Sequence, residues 1–87
     1  PVRRIEVKGR VGDDPTVIVT PNEWTQGVRH GASYWLYVVV GAGQREPRLL
    51  RIQDPVRRLE KQADRLTVVK GWVLPGRAIE KVAEGRR

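Results

Sequence analysis

Residues Tyr34–Val40 read Tyr-Trp-Leu-Tyr-Val-Val-Val, the longest apolar run of the chain. Seven residues are too few to cross a membrane. Their β-branched and aromatic content suits a central strand buried on both faces. What precedes the run narrows the fold further. Thr20 stands at a helix N-cap position, Pro21 at the first helical position and Glu23 three residues after the cap, so a capping box with proline in its favoured place opens a helix. That helix is predicted to run to about His30, with Arg29 and His30 in its cation-favouring last turn and Gly31 as its stop. Residues 16–19 are a short β-branched strand ahead of it, and residues 3–9 an earlier one. Strand, helix, strand implies a parallel crossover between an earlier strand and Tyr34–Val40.

Turn chemistry orders the rest. Gly12-Asp13-Asp14-Pro15 is a turn cluster, and its adjacent acids are solvated turn residues rather than metal ligands. Gly41-Ala42-Gly43 lacks the third glycine and the following helix of a dinucleotide loop, so it reads as a hairpin loop into the strand around Leu49-Leu50-Arg51-Ile52. Asp54-Pro55 repeats the pattern of N-cap and first-turn proline, and Val56, Leu59 and Ala63 give the helix after it a thin apolar stripe. Residues 66–74 are expected to form one last strand, interrupted by a bulge at Gly71. Pro75-Gly76 turns the chain, and Ile79, Val82 and Ala83 set a short helix stopped by Gly85. The expected class is α/β, a small mixed sheet flanked by helices, in one domain over residues 1–87.

Charge and residue usage restrict the chemistry. Cys is absent, which excludes disulfides and thiolate metal sites and fits a cytoplasmic setting. One histidine, His30, leaves no paired-His zinc site and is accounted for by helix capping. Catalysis would have to run on carboxylates, Lys, Arg and a hard cation held by oxygen. The net charge is +7, and 13 of the 17 basic residues are Arg, whose guanidinium forks onto phosphate with two hydrogen bonds. Nucleic acid, DNA in particular, is the partner such a surface suits. The chain opens Pro1-Val2-Arg3-Arg4, without Met and without signal-peptide architecture, so it is expected to be a piece of a larger protein with upstream domains.

Within the first strand, Ile5-Glu6-Val7-Lys8-Gly9 alternates, so Glu6 and Lys8 share one face and Ile5 and Val7 the other. The apolar pair is expected to be the buried one, leaving a carboxylate beside an ammonium on the opposite face. Taken in order, this pentapeptide, Thr20-Pro21-Asn22-Glu23-Trp24, Tyr34-Trp35-Leu36-Tyr37-Val38-Val39 and Arg51-Ile52-Gln53-Asp54-Pro55 resemble the C-terminal domain family of NO VEIN. That family, of uncharacterised function, is similar to restriction-endonuclease-like folds of the PD-(D/E)XK type. The resemblance covers about residues 4–58. It implies a nuclease-like core over residues 3–58, short of its N-terminal strand, with a strand and helix extension over residues 59–87.

By that resemblance Glu6 and Lys8 are the catalytic residues. Glu6 and the Val7 carbonyl would bind magnesium, and Lys8 would orient the attacking water and offset charge that develops in the transition state. Gln26 and Glu23, on the following helix, are the supporting candidates, although the capping box already accounts for Glu23. Arg4, Arg10 and Arg51 are the nucleic-acid-binding candidates. The motif also needs an acid on the strand before Glu6, and none of the five residues preceding Glu6 is acidic. Three functions follow. One is magnesium-dependent DNA cleavage completed within a longer protein. Another is a non-catalytic nucleic-acid or protein-docking module with a degenerate site. The last is a homodimer formed through an open edge strand.

Overall fold

The computed structural model describes residues 2–66 and 71–84. Six strands and three helices follow in the order β1 (Arg4–Arg10), β2 (Val17–Val19), α1 (Pro21–His30), β3 (Tyr34–Val40), β4 (Arg48–Gln53), α2 (Pro55–Leu59), β5 (Asp64–Leu66), β6 (Gly71–Leu74) and α3 (Gly76–Val82), with a 3-10 turn at Gly31–Ser33. The α/β class with a mixed sheet holds. β3 is central, parallel to β1 with Glu6 beside Leu36 and Lys8 beside Val38, and antiparallel to β4 with Leu36 beside Ile52. The glycine loop after β3 closes this β3–β4 hairpin. β1 is the edge of its sheet, in the order β1-β3-β4.

The strands do not all join one sheet. β2, β6 and β5 form a second, antiparallel sheet in the order β2-β6-β5. This corrects the expectation of a single strand over residues 66–74. Asp64–Leu66 and Gly71–Leu74 are separate strands that pair with each other, and part of the expected strand, residues 67–70, lies outside the described residues. Gly71 opens β6 with φ +148°, and a Cβ there would meet the Val19 carbonyl. Only glycine fits so close an approach at that φ. The expected stop at Gly85 also lies outside the described residues.

The core fills the space between the inner face of the first sheet, the second sheet and the helices. Leu36, Val38, Val40, Leu50 and Ile52 pack with Val17, Val19 and Leu74 and with Leu59, Ala78 and Ile79. Five of these, Val38, Leu50, Ile52, Leu59 and Ile79, are wholly excluded from solvent. Each such aliphatic side chain contributes roughly 1.5–3 kcal/mol of burial. α1 forms as its capping box dictates: the Glu23 amide donates to Thr20 Oγ1 and the Thr20 amide to Glu23 Oε1. Gly27 lets α2 approach, since a Cβ there would lie 2.6 Å from Val56 Cγ2. Trp24 of α1 stacks on Trp72 of β6 with ring centroids 4.3 Å apart, fixing the helix to the second sheet.

At Asp54 the position is as expected but the chemistry differs. Asp54 precedes α2 in the left-handed region, at φ 53°, and its side chain makes no cap hydrogen bond. It takes an ion pair from Arg57 at 3.0 Å instead. The turn acids also do more than meet water. Thr16 donates through both its amide and its hydroxyl to Asp14 Oδ1, and Thr16 Oγ1 accepts from the Gly76 amide, which ties the β1–β2 loop to the start of α3.

Candidate functional site

β1 carries its charged residues inward. Ile5 and Val7 are the exposed pair, at 46% and 60%, while Glu6 and Lys8 are half-buried on the same side as Leu36 and Val38. The expected orientation is therefore reversed. Directly paired strand residues share a face, so the β3 partners Leu36 and Val38, committed to the core, take Glu6 and Lys8 with them. Burying these two charges requires a partner, and α1 provides one in Glu23. Lys8 Nζ lies 2.8 Å from Glu23 Oε1 and 3.7 Å from Glu6 Oε2. The same Glu23 oxygen closes the capping box. Three residues separated by up to 17 positions thus form one cluster.

The environment splits the two carboxylates. Burial, then the hydrogen bond and negative charge of Glu23, push the Glu6 carboxyl above its ordinary range, against the pull of Lys8. Burial also works against the charge on Glu23. It is outweighed by the hydrogen bonds from Lys8, the Thr20 amide and Glu6 and by the Lys8 charge, and Glu23 titrates below its ordinary value. The two directions order the pair: Glu6 takes up a proton before Glu23, which keeps its charge beside Lys8 to lower pH. Tyr34, at the start of β3, completes the cluster. Burial, aided by the nearby Glu6 and Glu23 charges, pushes its hydroxyl up to about 12. Sequence reasoning placed Tyr34 only as a strand residue. Its position beside the carboxylates comes from the parallel register that sets it next to Arg4.

Glu6, Glu23 and Tyr34 border a void of about 10 Å³, otherwise walled by apolar side chains such as Leu36, Val56 and Leu74. That is the space of a single water. Gln26 is not part of the cluster: its Oε1 meets His30 Nε2 at 3.0 Å, one turn along α1. The three arginine candidates are also divided. Arg4 and Arg10 are exposed on the Glu6 side of β1, with Arg10 Nε donating to the Asp14 carbonyl. Arg51 is paired with Tyr37 and so lies on the opposite face of the sheet.

Magnesium requires near-octahedral oxygen ligands, usually carboxylates together with retained waters. Glu6 and the Val7 carbonyl would be its first ligands here. The other nearby carboxylate, Glu23, has Oε1 taken by two donors, Lys8 Nζ and the Thr20 amide. Among the described residues no three acidic or histidine side chains gather as a metal site. The donors present do not fit magnesium.

The sequence profile described as "Protein NO VEIN, C-terminal" matches residues 1–52, more than half of the chain. The chain belongs to the NO VEIN C-terminal family. The segment shared with the NO VEIN family holds β1, β2, α1, β3 and all but the last residue of β4, and with them Glu6, Lys8, Glu23 and Tyr34. α2, β5, β6 and α3 lie beyond the NO VEIN match. No curated protein and no solved structure matches the chain.

Proposed function

We propose that this NO VEIN C-terminal domain is a nucleic-acid-binding module of a larger nucleic-acid-processing protein, and that Lys8 serves the fold through its pair with Glu23 instead of serving phosphodiester cleavage. The observation that carries this reading is the closed state of the cluster. Lys8 is spent on Glu23 at 2.8 Å, and the enclosed void beside the carboxylates on the core side is that of one water. The nuclease-type lineage is supported by the order of a strand bearing Glu6 and Lys8, a crossover helix and a parallel neighbour strand.

Binding is supported by where the remaining charge lies. The acids at Glu23, Glu80, Asp54 and Glu84 pair with Lys8, Arg48, Arg57 and Arg58. The chain carries a net charge of +7, and Arg4, Arg10, Arg29 and Arg77 are exposed. Such a surface neutralises phosphates and releases counterions. The test is fluorescence anisotropy of a labelled DNA duplex titrated at several salt concentrations, beside a plasmid-nicking assay with magnesium. Affinity should fall steeply and linearly on a logarithmic salt scale, with no nicking. Absent or salt-independent binding overturns the binding reading. Nicking that Glu6→Gln abolishes restores the nuclease reading.

A further inference from the structure

The helices beyond the family match enclose a groove of their own. α2 and α3 border a depression of about 470 Å³. Its floor is apolar: Leu59 and Ala78 are buried, and Val82 is half-buried. Its walls are Arg58, Arg77, Lys81 and Gln62, all exposed, and among the described residues no acidic side chain lines it. At the rim, Glu84 Oε2 lies 3.8 Å from Arg58 Nη2. Arg77 and Lys81 are four residues apart on α3, so they stand one above the other on one helix face. Two like charges at that spacing repel each other, and the repulsion is relieved when an anion lies between them.

From this geometry we infer that the α2–α3 groove is a phosphodiester-binding site, in which Arg58, Arg77 and Lys81 hold backbone phosphates while sugar carbons rest on Ala78 and Val82. The site deepens the proposed function and rests on it, but uses none of the residues shared with the family. Two of the three cations are Arg, whose paired donors match phosphate and carboxylate oxygens alike, so the choice of phosphodiester backbone over an acidic peptide rests on the floor. An apolar floor between cations matches the alternation of phosphate and sugar along a strand. Gln62 adds an uncharged donor and acceptor at the wall.

The experiment compares the whole chain with Arg77→Glu/Lys81→Glu and with Arg77→Lys/Lys81→Arg, using labelled single-stranded and duplex DNA and circular dichroism to check the fold. Both positions are on the surface, so the fold should survive. The charge-reversed variant should bind at least tenfold more weakly near 100 mM salt. Its salt slope should drop by roughly two phosphate contacts, about 1.8 for duplex or 1.4 for single strand, and which of the two probes responds identifies the form bound. The charge-preserving variant should retain most of the affinity. Wild-type binding with an unchanged charge-reversed variant overturns the groove and leaves the proposed function intact. If wild type fails to bind DNA, both fall. Poly-glutamate binding that the reversal abolishes, with DNA binding unaffected, overturns the phosphodiester assignment in favour of an acidic protein partner.

Discussion

At Lys8 two carboxylates compete for one cation, and the outcome is written in distance. Glu23 lies at 2.8 Å and Glu6 at 3.7 Å, so the short bond goes to the helix. The two acids then contribute to stability with opposite sign. Glu6 has a raised folded pKa, so its contribution is fully present below the unfolded value and is lost as pH rises through the folded one. Glu23 has a depressed folded pKa, so its contribution is present above the unfolded value and lost as pH falls through the folded one. Glu6→Gln should therefore leave stability at pH 7 unchanged or higher, with its advantage over wild type growing as pH rises across the carboxylate range. Glu23→Gln should cost about 1 kcal/mol or more at pH 7, through the lost charge beside Lys8 and not through the capping box, which Gln also closes, and less in acid. Urea denaturation of both variants between pH 4 and pH 7 checks the pair; a Glu6→Gln variant that weakens steadily with rising pH would contradict the assignment.

Among the elements, α1 touches β3 of the first sheet, β6 of the second and α2. Its capping box fixes where it starts, its Trp24 stacks on the second sheet and its Gly27 allows α2 to sit close. Helix propensity alone would favour alanine over glycine at that position by about 1 kcal/mol. Here the contact decides, because a methyl group would press into Val56 at 2.6 Å. Gly27→Ala should destabilise the domain by ~1–3 kcal/mol, as overpacking does, while Gln26→Ala on the same helix should cost far less. Thermal unfolding of the two variants separates propensity from packing. α3 is held in a different way, by a chain of hydrogen bonds from Asp14 through Thr16 to the Gly76 amide. The Thr16 donors, side chain first and then amide, together with the Arg10 charge, overcome desolvation and hold the Asp14 carboxyl below its ordinary value.

Over the whole molecule, charge is distributed by depth. Lys8, Glu6 and Glu23 are half-buried and satisfied by one another, and among the described residues no buried side-chain nitrogen or oxygen lacks a partner. Exposed ion pairs such as Arg58–Glu84 contribute little, while the net charge of +7 repels itself across a flattened body of 36 × 35 × 19 Å. Raising salt from about 20 to 200 mM should therefore increase the melting temperature, by ~4 °C if screening recovers somewhat under 1 kcal/mol. A melting temperature that falls with salt would show that ion pairs outweigh the repulsion. No helix among the described residues is long and apolar enough to cross a membrane.

What the sequence determined by itself is what local chemistry can specify. The capping box, the proline after it, the glycine stop and the apolar run of β3 each act within a few residues, so α1 and β3 were legible to the residue. The ordered motifs marked the family for the same reason. The tertiary structure decided what alternation leaves symmetric. A strand with period two offers two faces, and only the pairing of β1 with the buried β3 turned Glu6 and Lys8 inward and left Ile5 and Val7 outside. Likewise the pairing of β6 with β2 and β5 made a second sheet from a stretch that read as one strand. The contact of Lys8 with Glu23, the place of Tyr34 and the α2–α3 groove all depend on residues brought together by packing, and no local pattern encodes those distances.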